Sequence, residues 1–142
     1  MGDRPVFEHE VRVGWADCDP AQIAYTGRLP LFALEAIDAW WEHSLGGYSG
    51  WYYLETELGF GTPFVNLSMD FRAPVTPRHR LKCEVYPTRL GTKSITFAVK
   101  GRQDGILCFE GSFTNVFTQA ASVTTREPPP KIREIIEPLI RA

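Results

Sequence analysis

Two carboxylates stand two residues apart in the segment Trp15-Ala16-Asp17-Cys18-Asp19-Pro20-Ala21-Gln22-Ile23-Ala24-Tyr25-Thr26, the stretch of this chain densest in groups that could do chemistry. The segment joins an alternating stretch to a long apolar one that reads as a helix. It therefore sets anionic side chains beside the N–H groups that the first turn of a helix leaves unbonded. Those donors could polarise a substrate carbonyl, as an oxyanion hole does. A carboxylate held close by could attack that carbonyl or take a proton from water. A thiolate leaves with little help near neutral pH, because the free-thiol pKa is roughly 8.5. One carboxylate and one helix end could thus suffice to hydrolyse a thioester. Asp also caps turns routinely, so local spacing alone leaves Asp17 and Asp19 open to a purely structural reading.

The elements that must position this loop follow from hydrophobic periodicity. Over 7–15, Phe7, His9, Val11, Val13 and Trp15 alternate with Glu8, Glu10 and Arg12, the pattern of a half-buried strand. Over 65–72, Val65, Leu67, Met69 and Phe71 alternate with Asn66, Ser68, Asp70 and Arg72 in the same way. Leu81, Cys83 and Val85 make a third strand, and Ile95, Phe97 and Val99 a fourth, after a Leu90-Gly91-Thr92 turn. A long last strand is expected from Ile106 to Thr118, entered through the hairpin signal Asp104-Gly105. Short turns between successive strands predict antiparallel pairing.

From Leu29 to Leu45 the rhythm changes: there is no Gly and, after Pro30, no Pro. Pro30 suits a first helical turn, so a helix is predicted to begin near Gly27 to Leu29 and to end at Gly46-Gly47. Its polar residues Glu35, Asp38 and Glu42 form one narrow stripe, which predicts burial on several sides. The expected fold is α+β, a curved antiparallel sheet wrapped around one long central helix, in a single domain over 1–142. Residues 48–61 stay open between a second helix and a lid-like connection. Pro128-Pro129-Pro130 should break the chain ahead of a short helix from Lys131 to Glu137.

Composition narrows the function classes. Seventeen acids against fifteen bases give a net charge of −2, which lacks the basic excess that nucleic acid demands. No stretch reaches the roughly 20 apolar residues of a membrane span, and Met1 to Pro5 shows no signal-peptide pattern. Cys18, Cys83 and Cys108 are odd in number and far apart, which fits a reduced, cytoplasmic chain.

Asp17-Cys18-Asp19-Pro20-Ala21, then Ile23 and the aromatic Tyr25 ahead of a long helix, resembles the 4-hydroxybenzoyl-CoA thioesterase family of hotdog proteins. Gly61-Thr62-Pro63 before the strand at 65–72, and Lys93-Ser94 opening a later strand, extend the resemblance over nearly the whole chain. It implies an acyl-CoA thioesterase that needs no cofactor and no metal, with Asp19 as nucleophile or general base. It further implies that the Thr26 N–H binds the thioester oxygen, with Tyr25 beside it in the substrate site. Thr62 would line the acyl site, and Arg89, Lys93 and Ser94 would meet the CoA end. A homodimer formed by edge-to-edge sheet pairing, doubled into a homotetramer, is implied too, with each site built from two subunits. Members of the family often carry Gly where this chain has Gln22, and Asn-Tyr where it has Arg28-Leu29; Arg28 could meet an anionic acyl group. The aromatics Trp15, Tyr25 and Phe32 permit an aryl or a medium-length acyl chain.

Other residues have plainer readings. Glu35 belongs to the helix's polar stripe, although another hotdog branch carries its catalytic acid on this helix. Cys18 is a poor nucleophile between two carboxylates, and His9, His43 and His79 show no metal-ligand spacing. Two rivals stand beside hydrolysis. One is a hotdog dehydratase, which would pair His with a carboxylate, and no His lies near 15–30. The other is a non-catalytic acyl-CoA or small-ligand binding module, which would keep the groove without needing Asp19.

Overall fold

Leu29–Ser44 forms α1 in a computed structural model that describes residues 5–46 and 50–141. Pro30 sits in the first turn, where its missing N–H costs nothing. At the other end Gly46 takes a φ of +91°, the left-handed conformation that ends helices; Gly47 lies outside the described residues. Phe32, Ala33, Ala36, Ile37, Trp40 and Trp41 are buried, while Leu31, Glu35 and Glu42 face outward. The helix is thus covered on several sides but not all, and Leu31 departs from the sequence expectation.

Around α1 curves a sheet of five antiparallel strands in the order β1-β4-β5-β6-β3. These are β1 (Phe7–Val11), β3 (Phe64–Phe71), β4 (Leu81–Leu90), β5 (Ser94–Gln103) and β6 (Ile106–Val116). Leu81, Cys83, Val85, Ile95, Phe97 and Val99 are fully buried, as their alternation requires. Trp40 meets Phe97 edge-on with ring centroids 4.9 Å apart; truncating such a residue to Ala costs about 3–5 kcal/mol. The β5–β6 hairpin turns through Asp104 and Gly105, both at positive φ (51° and 77°), as the primed turns of a hairpin require. The hotdog architecture, a sheet wrapped on one long helix, is therefore the fold.

The remaining pieces brace this frame. The α2 helix (Gly50–Thr56) resolves most of the open 48–61 segment; Tyr48 and Ser49 lie outside the described residues. Asp38 of α1 accepts the Trp51 N–H at 2.7 Å. A Cβ at Gly50 would run into the Asp38 carbonyl, so only glycine lets the two helices approach this closely. A two-stranded sheet pairs β2 (Phe60–Gly61) with β7 (Thr118–Gln119). The last strand is thus divided, with β6 stopping at Val116. The terminal helix α3 (Pro130–Ile136) continues as a 3-10 turn over Glu137–Leu139.

Two strands differ from their patterns. The first stops at Val11, and Trp15 enters a 3-10 turn (Trp15–Asp17) that leaves it 72% exposed. The cause is local: the Asp17 carboxylate captures the Gly14 N–H at 2.8 Å and bends the backbone out of the strand. The strand at 64–71 keeps its extended form, but Val65, Leu67 and Phe71 remain exposed. It is an edge strand, and α1 packs on β1, β4 and β5, leaving that apolar face uncovered within one chain.

Candidate active site

Between β1 and α1 the chain doubles back on itself. Asp19 donates its N–H to the Ile23 carbonyl at 3.0 Å, Tyr25 donates to the Asp17 carbonyl at 2.8 Å, and Cys18 faces Ala24 across an isolated antiparallel bridge. Residues 17–19 and 23–25 therefore form a small tongue with its turn at Pro20–Gln22. The turn closes through a Gln22 N–H bond to the Asp19 carbonyl at 2.8 Å, and Gln22 takes a φ of +67°. Left-handed backbone at that position favours glycine, which gives a physical reason for a glycine there in related chains. Ala24 is buried and its N–H is bonded to the Val75 carbonyl at 2.7 Å, which anchors the tongue to the loop after β3.

The two aspartates have different surroundings. Asp17 is nearly saturated: Oδ2 accepts the Gly14 N–H, and Oδ1 accepts both Nε (2.9 Å) and Nη2 (2.5 Å) of Arg28. The Gly14 N–H bond holds its carboxyl below the usual carboxylate range, helped by Arg28 and Arg12 and opposed by burial. The Asp17–Arg28 pair thus clamps the tongue at its neck. Arg28 spends its Nε and Nη2 on that clamp. Asp19 is half-buried, and only Oδ1 is engaged, by the Ala21 N–H at 2.9 Å. Its Oδ2 takes no partner among the described residues.

Beyond the tongue, Thr26–Arg28 form a 3-10 turn that leads directly into α1. Tyr25, which precedes it, is 57% exposed and offers no side-chain cap to the first N–H groups of that turn. Its ring lies over Gly27, where a Cβ would stand only 2.7 Å from Tyr25 Cε2. Thr26 therefore presents its backbone at an uncapped helix start beside the tongue.

The other candidates lie elsewhere. Thr62 precedes β3, its carbonyl held at 2.7 Å by Nδ2 of Asn115, a fully buried residue that the sequence reading missed. Arg89 pairs with Thr96 near the end of β4, and Ser94 opens β5 opposite Val116. Lys93 is exposed in the intervening turn, whose Gly91 and Thr92 carbonyls accept bonds from Arg133 of α3. This hairpin lies at the far end of the sheet from Val11 and Leu81, where the tongue is rooted. Ten residues of β4 separate the two ends, roughly 30 Å at about 3.3 Å per residue. One chain therefore carries Asp19 near the turn of the tongue and Tyr25 and Thr26 at its exit into α1, and Thr62, Arg89, Lys93 and Ser94 lie toward the opposite end.

A His–carboxylate pair does form, from residues too far apart in sequence to be read together. His9 Nε2 of β1 lies 2.7 Å from Glu35 Oε2 of α1. Cys83 and Cys108 are poor nucleophiles: burial, with the Glu35 carboxylate adding, pushes the Cys83 thiol up to about 12, and burial raises Cys108 as well.

Comparison with known proteins agrees with this frame. A family model described as the thioesterase-like superfamily matches residues 13–136, most of the chain. A crystal structure of a thioesterase superfamily member from Jannaschia sp. CCS1 shares 60% identity, covering 100% of this chain and 99% of that one with a TM-score of 0.93. A 1,4-dihydroxy-2-naphthoyl-CoA thioesterase from Synechocystis is 20% identical over 95% of this chain and 98% of its own, with a TM-score of 0.81. A mutant 4-hydroxybenzoyl-CoA thioesterase, crystallised with 4-hydroxybenzoyl-CoA, is 21% identical over 92% and 97%, with a TM-score of 0.77. No curated protein sequence matches. The chain is a hotdog protein and belongs to the thioesterase-like superfamily. Membership makes thioester hydrolysis its reaction class.

Proposed function

We propose that this protein hydrolyses an acyl-CoA to the free acid and CoA, with Asp19 as its working carboxylate. The observation that carries the reading is the division between the aspartates. Asp17 is spent on Gly14 and Arg28, while Asp19 keeps one carboxylate oxygen free in the tongue that leads into an uncapped helix start. In this reading the Thr26 N–H draws charge onto the thioester oxygen as the carbonyl carbon becomes tetrahedral. Asp19 either deprotonates the water that attacks that carbon or attacks it directly, and the thiolate departs with the electron pair of the C–S bond; in the second case water then hydrolyses the mixed anhydride to the free acid and restores Asp19. An aromatic acyl group such as 4-hydroxybenzoyl is compatible with the exposed Tyr25 ring and with the substrates named for two of the structural neighbours.

The separation of the candidate residues supports a site made by two copies. β3 is an uncovered edge of eight residues carrying exposed Val65, Leu67 and Phe71. Long apolar edges invite strand pairing, and a two-fold pairing sets each strand antiparallel to its copy. Such a pairing lays the Thr62 end of one β3 beside the Val75 end of the other. Thr62, Arg89, Lys93 and Ser94 of one copy would then approach Asp19, Tyr25 and Thr26 of its neighbour, with the cationic hairpin toward the CoA phosphates. A homotetramer made from two such dimers belongs to the same reading. So does a cytoplasmic setting, which the three free cysteines favour.

Asp19→Asn tests the core of this reading. Asn preserves the size and the Ala21 hydrogen bond but lacks the charge, so turnover should fall by about 10² to 10⁴-fold. Binding of acyl-CoA, read by calorimetry, should persist. Hydrolysis within a few-fold of the parent, followed with a thiol-trapping reagent, would remove Asp19 from the mechanism. Two other readings then separate. A dehydratase would depend on the His9–Glu35 pair and lose activity toward an unsaturated thioester in Glu35→Gln. A binding module would hold acyl-CoA and turn over none in any variant.

A further inference from the structure

We infer a second ligand site, for a phosphate-bearing group next to a flat ring, in a basic concavity on the outer side of the tongue. The cavity measures about 420 Å³ and is lined by Arg12, Val13, Gly14 and Trp15 from one strand exit and by Pro77, Arg78, His79 and Arg80 from the loop before β4. None of its lining residues is acidic, in a chain whose net charge is −2. Among the described residues, no ion pair engages Arg12, Arg78, His79 or Arg80. The neighbouring Asp17 carboxylate is already committed to Gly14 and Arg28. Arg12 also acts on the Asp17 carboxylate, while Arg78 and Arg80 have no counter-charge among the described residues, and guanidinium groups around one hollow fit the oxygens of a phosphate or diphosphate.

The hollow is built on a fixed floor. Val13 and Gly14 are buried, and Leu81 behind the loop is fully buried. Gln103, only 5% exposed, spends its whole amide on the loop: Nε2 donates to the Thr76 and His79 carbonyls, both at 2.7 Å, and Oε1 accepts the Thr76 N–H at 2.9 Å. A buried amide thus sets the backbone that carries three cationic or titratable side chains. Arg12 lies over Gly14, where a Cβ would stand 2.9 Å from Nη1. Trp15, turned outward at the rim, offers a large exposed ring against which a planar group can stack, and arginines reinforce such stacking.

Adenosine 3′,5′-bisphosphate carries both chemistries and is the probe. Titrated into the protein and followed by tryptophan fluorescence and calorimetry, it should bind, and more weakly as salt is raised. Arg78→Gln with Arg80→Gln should weaken it by about tenfold per arginine, as lost charged hydrogen bonds do. Both side chains are exposed, and an unchanged melting curve confirms the fold of the variant. Lys131→Gln, on an exposed helix face, should change nothing. Inorganic pyrophosphate should bind less tightly than the bisphosphate, and Trp15→Ala should erase that difference. Equal affinity in parent and double variant, or no binding at millimolar probe, overturns the site.

The same variants separate two sources of the group. If it is the nucleotide end of the thioester substrate, the double variant raises KM for an acyl-CoA and spares the corresponding N-acetylcysteamine thioester. If it is a free nucleotide, both thioesters keep their KM and the bisphosphate still distinguishes parent from variant. The titration needs no turnover, so failure of the hydrolase reading leaves this test intact.

Discussion

Where β1 stops and β4 begins, nearly every polar group of the tongue is spoken for. Asp17 holds Gly14 and Arg28, Asp19 holds Ala21 and Ile23, and Ala24 is tied to Val75. At the opposite end, the β4–β5 hairpin is fixed by backbone pairing and by Arg133, while the Arg89 and Lys93 side chains extend without ion pairs among the described residues. The first arrangement costs entropy in advance and suits bond-making, where small displacements matter. The second leaves long cationic side chains free to follow a flexible anionic ligand. One chain keeps these two kinds of machinery roughly 30 Å apart along β4, and the proposed two-copy site would close that gap through the uncovered β3 edge.

Breaking the edge should therefore have the largest effect. Leu67→Lys with Phe71→Lys puts charge on an apolar strand edge, which natural proteins use to prevent pairing. Sedimentation should show the dimer lost, and thiol release should fall about 100-fold or more, because displaced catalytic geometry is that costly. A monomer that hydrolyses acyl-CoA at the parental rate would mean that one end of the sheet suffices.

A smaller effect is expected from the hairpin end. Arg89→Ala or Lys93→Ala should raise KM for acyl-CoA several-fold and leave kcat nearly unchanged, the signature of binding lost equally in ground and transition states. A thioester lacking the nucleotide should be indifferent to either change. Equal losses on both substrates would make these residues structural.

How much of this was legible in the sequence follows the range of the forces involved. Alternation in Leu81-Cys83-Val85 and Ile95-Phe97-Val99 marked strands buried on one face, because burial is decided by the local period. The helix and its ends were equally readable from Pro30 and Gly46. Trp15 misled because its fate depends on one hydrogen bond, from Gly14 to Asp17, that overrides an alternating pattern. Val65, Leu67 and Phe71 misled for the opposite reason: their pattern is sound, but α1 packs on β1, β4 and β5 and leaves their face uncovered. Long-range pairings such as His9 with Glu35, Gln103 with the 76–79 loop and Asn115 with Thr62 were invisible, since no local period encodes them. Of the candidate site, the tongue residues were found together because they are contiguous, and the others needed a family pattern to be noticed at all.

The smallest effect sharpens the contrast between the aspartates. Asp17 has its carboxyl held below the ordinary range, chiefly by the Gly14 N–H and then by Arg28. A depressed folded pKa means that the unfolded chain takes up the proton first, near its ordinary value of about 3.9. The stabilisation from ionised Asp17 is therefore complete above that value and is lost as pH falls through the lower folded pKa. Asp17→Asn cannot ionise, so it should melt below the parent by a constant margin from pH 7 down to about pH 5. Below about pH 4 the two melting temperatures should converge. Other carboxylates titrate in both proteins and cancel in the difference. Melting curves by circular dichroism across pH 3 to 7 read this directly. A margin at pH 3 as wide as at pH 7 would show that Asp17 acts through its shape and neutral hydrogen bonds, and that the clamp on Arg28 contributes no charge to the tongue.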